Sequence, residues 1–238
     1  MNKVLKNIAL ILMLLSTPSL AKDNKSDLES LSTTLKSYKE VQINGNLEKT
    51  IDYIYPPVFT ITSKEMLLQG FKMAKDSGKM PKITKFSIEN SKVLKSYSKG
   101  VYIILPYSVE MDMDLTPSTS KENKEAYAKE QEMLTDPKKV GAYKEFTVNM
   151  LKMSMGQGVE INSKKGSMML NIKKSSNLLG IKENTSSWKF IDADPMVLTQ
   201  MKAIVPKDIV ANEKELFSAN VPNPAEQLQQ MMEMMKQN

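Results

Sequence analysis

The sequence predicts an α+β fold: N-terminal helices packed on a curved, mainly antiparallel sheet, forming a cone-shaped roll with a helical insertion and a C-terminal amphipathic helix. Three observations carry this expectation. Apolar residues recur at helical spacing up to Ala74. From Ile83 to Met113, and again from Ser167 to Asp192, the pattern changes to β-branched and aromatic residues in alternation. Between those two stretches, Leu115 to Gly158 is charged and helix-like, so it reads as an insertion at 115–158.

The first element is a leader. Lys3 and Lys6 precede the apolar run Ile8 to Leu15, and Ser16, Thr17 and Pro18 break it. Ser19 and Ala21 stand at −3 and −1 of a cleavage site, so residues 1–21 read as a secretory signal, cleaved after Ala21. The run is shorter than the ~20 residues of a membrane-spanning helix. The expectation is a periplasmic or secreted bacterial protein with no transmembrane segment in the mature chain.

A roll domain is expected over 22–205. Ser26 and Glu29 have capping-box spacing and open a helix whose inner face holds Leu28, Leu31, Leu35 and Tyr38. Asn44-Gly45-Asn46 ends it. A short helix with Leu47, Ile51 and Ile54 stops before Pro56-Pro57. Val58 to Ile61 reads as extended. Thr62 and Glu65 then cap a helix with Met66, Leu67, Phe71 and Ala74 inward.

Ile83, Phe86, Ile88, Val93 and Leu94 belong to a β-like stretch, Ser98-Lys99-Gly100 to a turn, and Val101 to Met113 to a strand in which Pro106 argues for an edge or a bulge. In the insertion, Lys121 to Leu134 is a charged helix. Asp136-Pro137 starts a second, with Val140, Tyr143, Thr147, Met150 and Leu151 on its core side. Strands follow at Ser167 to Ile172, Leu178 to Lys182 and Trp188 to Asp192, then a short helix from Pro195 to Ile204. Residues 206–238 read as a linker and a terminal helix. Asn223, Pro224 and Glu226 start that helix, and Leu228, Met231, Met232 and Met235 form its stripe.

Composition removes whole classes of chemistry. The 238 residues contain no His and no Cys. Ser-His-Asp and Cys-His catalysis are therefore excluded, and a zinc site would have only carboxylates to draw on. Disulfides are excluded too, as is the lipid attachment of an exported bacterial precursor, which needs a Cys at the new N-terminus. All 33 basic residues are Lys, so the planar Arg fork for phosphate is missing. The net charge of +6 falls to +4 once Lys3 and Lys6 are removed, and the lysines are spread among acids; no nucleic-acid partner is expected. Just over two hundred mature residues are enough for an apolar core.

Two stretches carry a resemblance. Asn44-Gly45-Asn46-Leu47-Glu48-Lys49-Thr50-Ile51-Asp52-Tyr53-Ile54-Tyr55-Pro56-Pro57-Val58-Phe59 resembles the opening of the nuclear transport factor 2-like (cystatin-like α+β roll) superfamily. Ser175 to Ile181 through Trp188-Lys189-Phe190-Ile191-Asp192 is similar to the closing hairpin of its exported bacterial members. The resemblance implies a concave pocket between sheet and helices, and frequent dimerisation. Because the superfamily hosts isomerases, dehydratases and transport factors, it implies no single activity.

Several residue sets are candidate sites. A roll-type isomerase or lyase would use an Asp base with Tyr donors in an apolar pocket, and Asp52, Tyr53, Tyr55, Tyr102 and Tyr107 are the candidates. The plainer reading puts Asp52 in solvent and packs the tyrosines on the sheet. Among the 19 Met, the pairs Met111/Met113, Met153/Met155, Met168/Met169 and the run Met231 to Met235 raise Cu(I) or Ag(I) binding by thioethers. The plainer reading is core filling. Asp112 and Asp114 share a strand face without any EF-hand spacing, and Gly156-Gln157-Gly158 lacks the P-loop ending. The expectation is a non-enzymatic protein that binds a small apolar ligand or a partner protein (a second copy or another exported protein). No cofactor or resident metal is expected.

Overall fold

The computed structural model describes residues 20–76, 80–89, 93–116, 136–155, 158–163 and 167–217. The expected leader up to residue 19, the charged helix Lys121 to Leu134 and the amphipathic tail fall outside the described residues.

The chain is α+β, with helices packed against a curved antiparallel sheet of six strands that does not close into a barrel. Helix α1 spans Leu20–Ile43. It runs through Ser26, so the capping-box pair lies inside the helix and does not start it. Inside a helix such residues hydrogen-bond backward: the hydroxyls of Ser30 and Thr34 donate to the carbonyls of Asp27 and Ser30, both at 2.9 Å. The apolar face is as expected, with Leu31 buried and Leu28, Leu35 and Tyr38 packed on the core.

Gly45, at φ +62°, turns the chain, a conformation that costs glycine little. Helix α2 (Leu47–Thr50) follows, with the Asn46 side chain accepting from the Lys49 N–H. Ile51–Tyr53 tightens into a 3-10 turn. Pro56–Thr60 is a second one, correcting the extended reading of Val58 to Ile61; two prolines at its start preset the backbone φ. Helix α3 (Lys64–Asp76) is capped by Ser63, whose hydroxyl accepts from the Met66 N–H at 3.1 Å, one residue after the expected Thr62. Met66 is exposed rather than inward, while Leu67, Phe71 and Ala74 are half-buried.

The strands are β1 (Lys82–Ile88), β2 (Lys95–Tyr97), β3 (Gly100–Asp114), β4 (Val159–Ser163), β5 (Met169–Glu183) and β6 (Lys189–Asp192). The order is β1-β3-β5-β4, with β2 also on β3 and β6 also on β5. Strands β3 and β5 pair over their full length, from Gly100 opposite Glu183 to Asp114 opposite Met169. The two strands read at Ser167 to Ile172 and Leu178 to Lys182 are thus one, and β4 escaped the sequence reading. Polar residues hid both: Lys173 to Asn177 interrupts the apolar alternation of β5, and β4 is short and polar.

Pro106 lies mid-way along the central strand β3, not in an edge strand. Its carbonyl accepts from the Glu89 N–H at 2.8 Å. In an antiparallel ladder a residue's N and O point to the same side. The missing proline N–H therefore faces the β1 side, just past the last ladder pair of Ile88 with Tyr107.

Alternation divides the sheet residues between two cores. One face carries Ile103, Leu105, Tyr107, Val109 and Met111 of β3 with Leu170, Ile172 and Leu178 of β5, covered by α1 and by helix α4 (Pro137–Met155). Tyr143 and Leu151 of α4 reach this core as expected, and Val148 joins them. The other face carries Tyr102, Leu179, Ile181 and Ile191. It is covered by α5 (Pro195–Met201), α6 (Lys207–Asn212) and α7 (Lys214–Phe217). The stretch after Val205, expected as linker, thus includes two packed helices, with Ile209 wholly buried. Among the described residues, no helix is long and apolar enough to cross a membrane.

Candidate functional site

A cavity of about 400 Å³ lies beneath the sheet, bounded by α1, the turn around Ile54, strands β1, β3, β5 and β6, and helix α5. Its walls are chiefly apolar: Ile83, Phe86, Val109, Met111, Leu178 and Phe190 contribute. The volume falls in the range of small-molecule sites, which pair apolar walls with a few placed polar groups.

The polar groups converge on β5 and β6. Lys174 and Ser176 stand on the inner face of β5, and Tyr107 lies opposite Ser176 on β3. Asp192 ends β6, opposite Leu178. Its Oδ2 accepts from the Tyr107 hydroxyl at 3.0 Å and from Lys174 Nζ at 2.8 Å. Its Oδ1 accepts from the Ser176 hydroxyl and the Asp194 N–H, both at 3.1 Å. A carboxylate offers about four lone-pair sites, and here four donors occupy them. Lys174 also lies 3.8 Å from the buried Asp194 carboxylate. Burial first, and then the Asp192 charge, pushes the Tyr107 hydroxyl far above the ordinary phenol range.

Tyr38 enters from α1. Its ring is held by Tyr53, Phe86 and Phe190, with centroids at 5.4, 5.8 and 5.0 Å. Burial and the field of Asp192 hold the Tyr38 proton well beyond the normal range.

The candidates from sequence are scattered. Asp52 is exposed, and its carbonyl accepts from Lys189 Nζ at 2.5 Å. It cannot serve a buried pocket, because its short 3-10 turn points it outward. Tyr53 packs on Tyr38. Tyr55 donates to Glu183 at 2.9 Å, and Tyr97 shares that carboxylate. Tyr102, on the far face of the sheet, donates to Glu213 at 2.8 Å; burial, then this carboxylate, raises its pKa to about 12. Of the five, Tyr107 alone lines the cavity. Asp192, Lys174 and Tyr38 were missed as site residues. The one legible signal was Lys174 and Ser176 at positions where strand alternation demands apolar side chains.

The run Met231 to Met235 lies outside the described residues. Met111, Met113, Met155 and Met168 touch one apolar core, while Met169 points to the opposite face and is exposed. Asp112 accepts from Asn171, and Asp114 from the Thr116 N–H and hydroxyl. Gly158, at φ +74°, lets β4 approach β5: a Cβ there would stand 2.3 Å from the Ser175 carbonyl oxygen. This is the structural use of the glycine in Gly156-Gln157-Gly158. A larger groove of about 800 Å³ runs between the Asn44 to Glu48 turn and α3, rimmed by Lys72, Lys75 and Asp76.

Comparison of the chain with family models, with curated proteins and with solved structures found no match.

Proposed function

We propose that this protein is an exported, non-enzymatic binder of a small apolar molecule, held in the cavity between α1 and the inner face of the sheet. The observation that supports this reading is an apolar cavity with one polar corner, built by Tyr38, Tyr107, Lys174 and Asp192. The arrangement suits binding better than proton transfer. A general base needs a lone pair aimed at substrate, and the lone pairs of Asp192 are taken by Tyr107, Lys174, Ser176 and the Asp194 N–H. The leader at 1–21 supports export, and the helix-then-sheet order supports kinship with the nuclear transport factor 2-like rolls.

The test uses the neutral fluorophore N-phenyl-1-naphthylamine. The expected result is saturable, one-to-one enhancement of emission. Ile83→Trp, which fills the cavity from β1, should abolish it while leaving the circular dichroism unchanged. Equal uptake by parent and filled variant, or no uptake by the parent, would overturn the reading.

A further inference from the structure

The polar corner also limits what the bound molecule carries. Two carboxylates, Asp192 and Asp194, flank one ammonium, Lys174. An anionic head group would meet more negative than positive charge beside a lysine whose side chain is only one-tenth exposed. A carboxylate ligand is therefore disfavoured even though a lysine lines the cavity. An ammonium ligand is disfavoured for another reason: it needs acceptors, and those of Asp192 are filled.

What the corner offers is donors. Among the described residues, none takes a hydrogen bond from the Tyr38 hydroxyl; Tyr38 lines the cavity, and its hydroxyl lies within the field of Asp192. Lys174 spends one N–H on Asp192 and has three to give. Two donors beside an apolar chamber match one uncharged acceptor atom. We infer that the ligand is a neutral apolar molecule ending in a hydrogen-bond-accepting oxygen, an alcohol or a carbonyl, which accepts a hydrogen bond from the Tyr38 hydroxyl. The inference rests on the binding reading above and narrows it to a ligand class.

The experiment is displacement of N-phenyl-1-naphthylamine by probes with the same chain: 1-decanol, 2-decanone, decanoate and decylamine. The alcohol and ketone should compete at least tenfold better than the acid and the amine. Tyr38→Phe keeps the aromatic packing and removes only the hydroxyl. It should weaken decanol and decanone about fivefold to tenfold relative to the fluorophore, whose direct titration against the variant sets the reference, because each neutral hydrogen bond contributes roughly 1 kcal/mol. Decanoate or decylamine competing best, or Tyr38→Phe leaving decanol unaffected, would overturn the inference while the binding reading stands. Failure of the fluorophore itself to bind would overturn the reading beneath it.

Discussion

Asp192→Asn isolates the centre of the site. The substitution keeps size and shape but removes the charge and one acceptor oxygen. Lys174, with a side chain one-tenth exposed, then loses its counter-ion at 2.8 Å and keeps only Asp194 at 3.8 Å. The hydroxyls of Tyr107 and Ser176 compete for a single carbonyl oxygen with Lys174 and the Asp194 N–H. Breaking a buried ion pair from one side costs about 3–5 kcal/mol. The Asp192 side chain retains 30 % exposure, so water offsets part of that and the lower end, about 3 kcal/mol, applies. With a urea slope of about 2 kcal/mol per molar, the unfolding midpoint should fall by about 1.5 M. The double variant Lys174→Met, Asp192→Asn should recover part of the loss, because it removes both halves of the 2.8 Å pair and leaves only Asp194 without the cation at 3.8 Å. Urea denaturation followed by Trp188 fluorescence measures both. A single-variant loss under about 1 kcal/mol, or a double variant worse than the two singles added together, would show that the corner is not an ion-paired unit.

Three further outcomes follow from the same geometry. Gly158→Ala should destabilise by at least about 1–3 kcal/mol, since its Cβ meets the Ser175 carbonyl oxygen at 2.3 Å and its φ of +74° suits glycine; thermal melting checks it, and an unchanged midpoint contradicts the close approach. Trp188→Phe should cost about 1–3 kcal/mol, because the indole N–H donates to the Asp27 carbonyl at 3.3 Å and the Ser30 hydroxyl at 3.1 Å; hydrogen exchange along α1 should quicken before that in β3. Stability should fall at both pH extremes. The Asp208 and Asp114 pKa values are lowered by hydrogen bonds from Ser98 and Thr116, so their contribution is present above the ordinary carboxylate range and is lost as pH falls through it. The Tyr102 pKa is raised to about 12, so its contribution is intact below about pH 10 and fades as pH climbs toward 12. Chemical denaturation across pH should show both limbs, with Asp208→Asn flattening the acid one and Tyr102→Phe the alkaline one.

Local patterns made much of the fold legible. The inner stripe of α1, the glycine break at Gly45, the hairpin turn before Gly100 and the Asp136-Pro137 helix start each depend on residues within a few positions of one another, and each is where the pattern put it. The misreadings also have a common cause. Two prolines preset a 3-10 turn where β-branched residues suggested a strand. A polar interruption in β5 looked like a loop because its partners lie far along the chain, at Tyr107 and Asp192.

By itself, the sequence determined the α+β class, the apolar alternation of the strands, and the absence of imidazole, thiol and guanidinium among these 238 residues. Only the tertiary structure decided which acid enters the cavity. Asp52 and Asp192 are indistinguishable as isolated residues. One lies on a solvent-facing turn, while the other ends a strand beside Lys174, Ser176 and Tyr107. That difference arises because antiparallel pairing brings together residues up to 85 positions apart, and strand parity then aims them at the same corner.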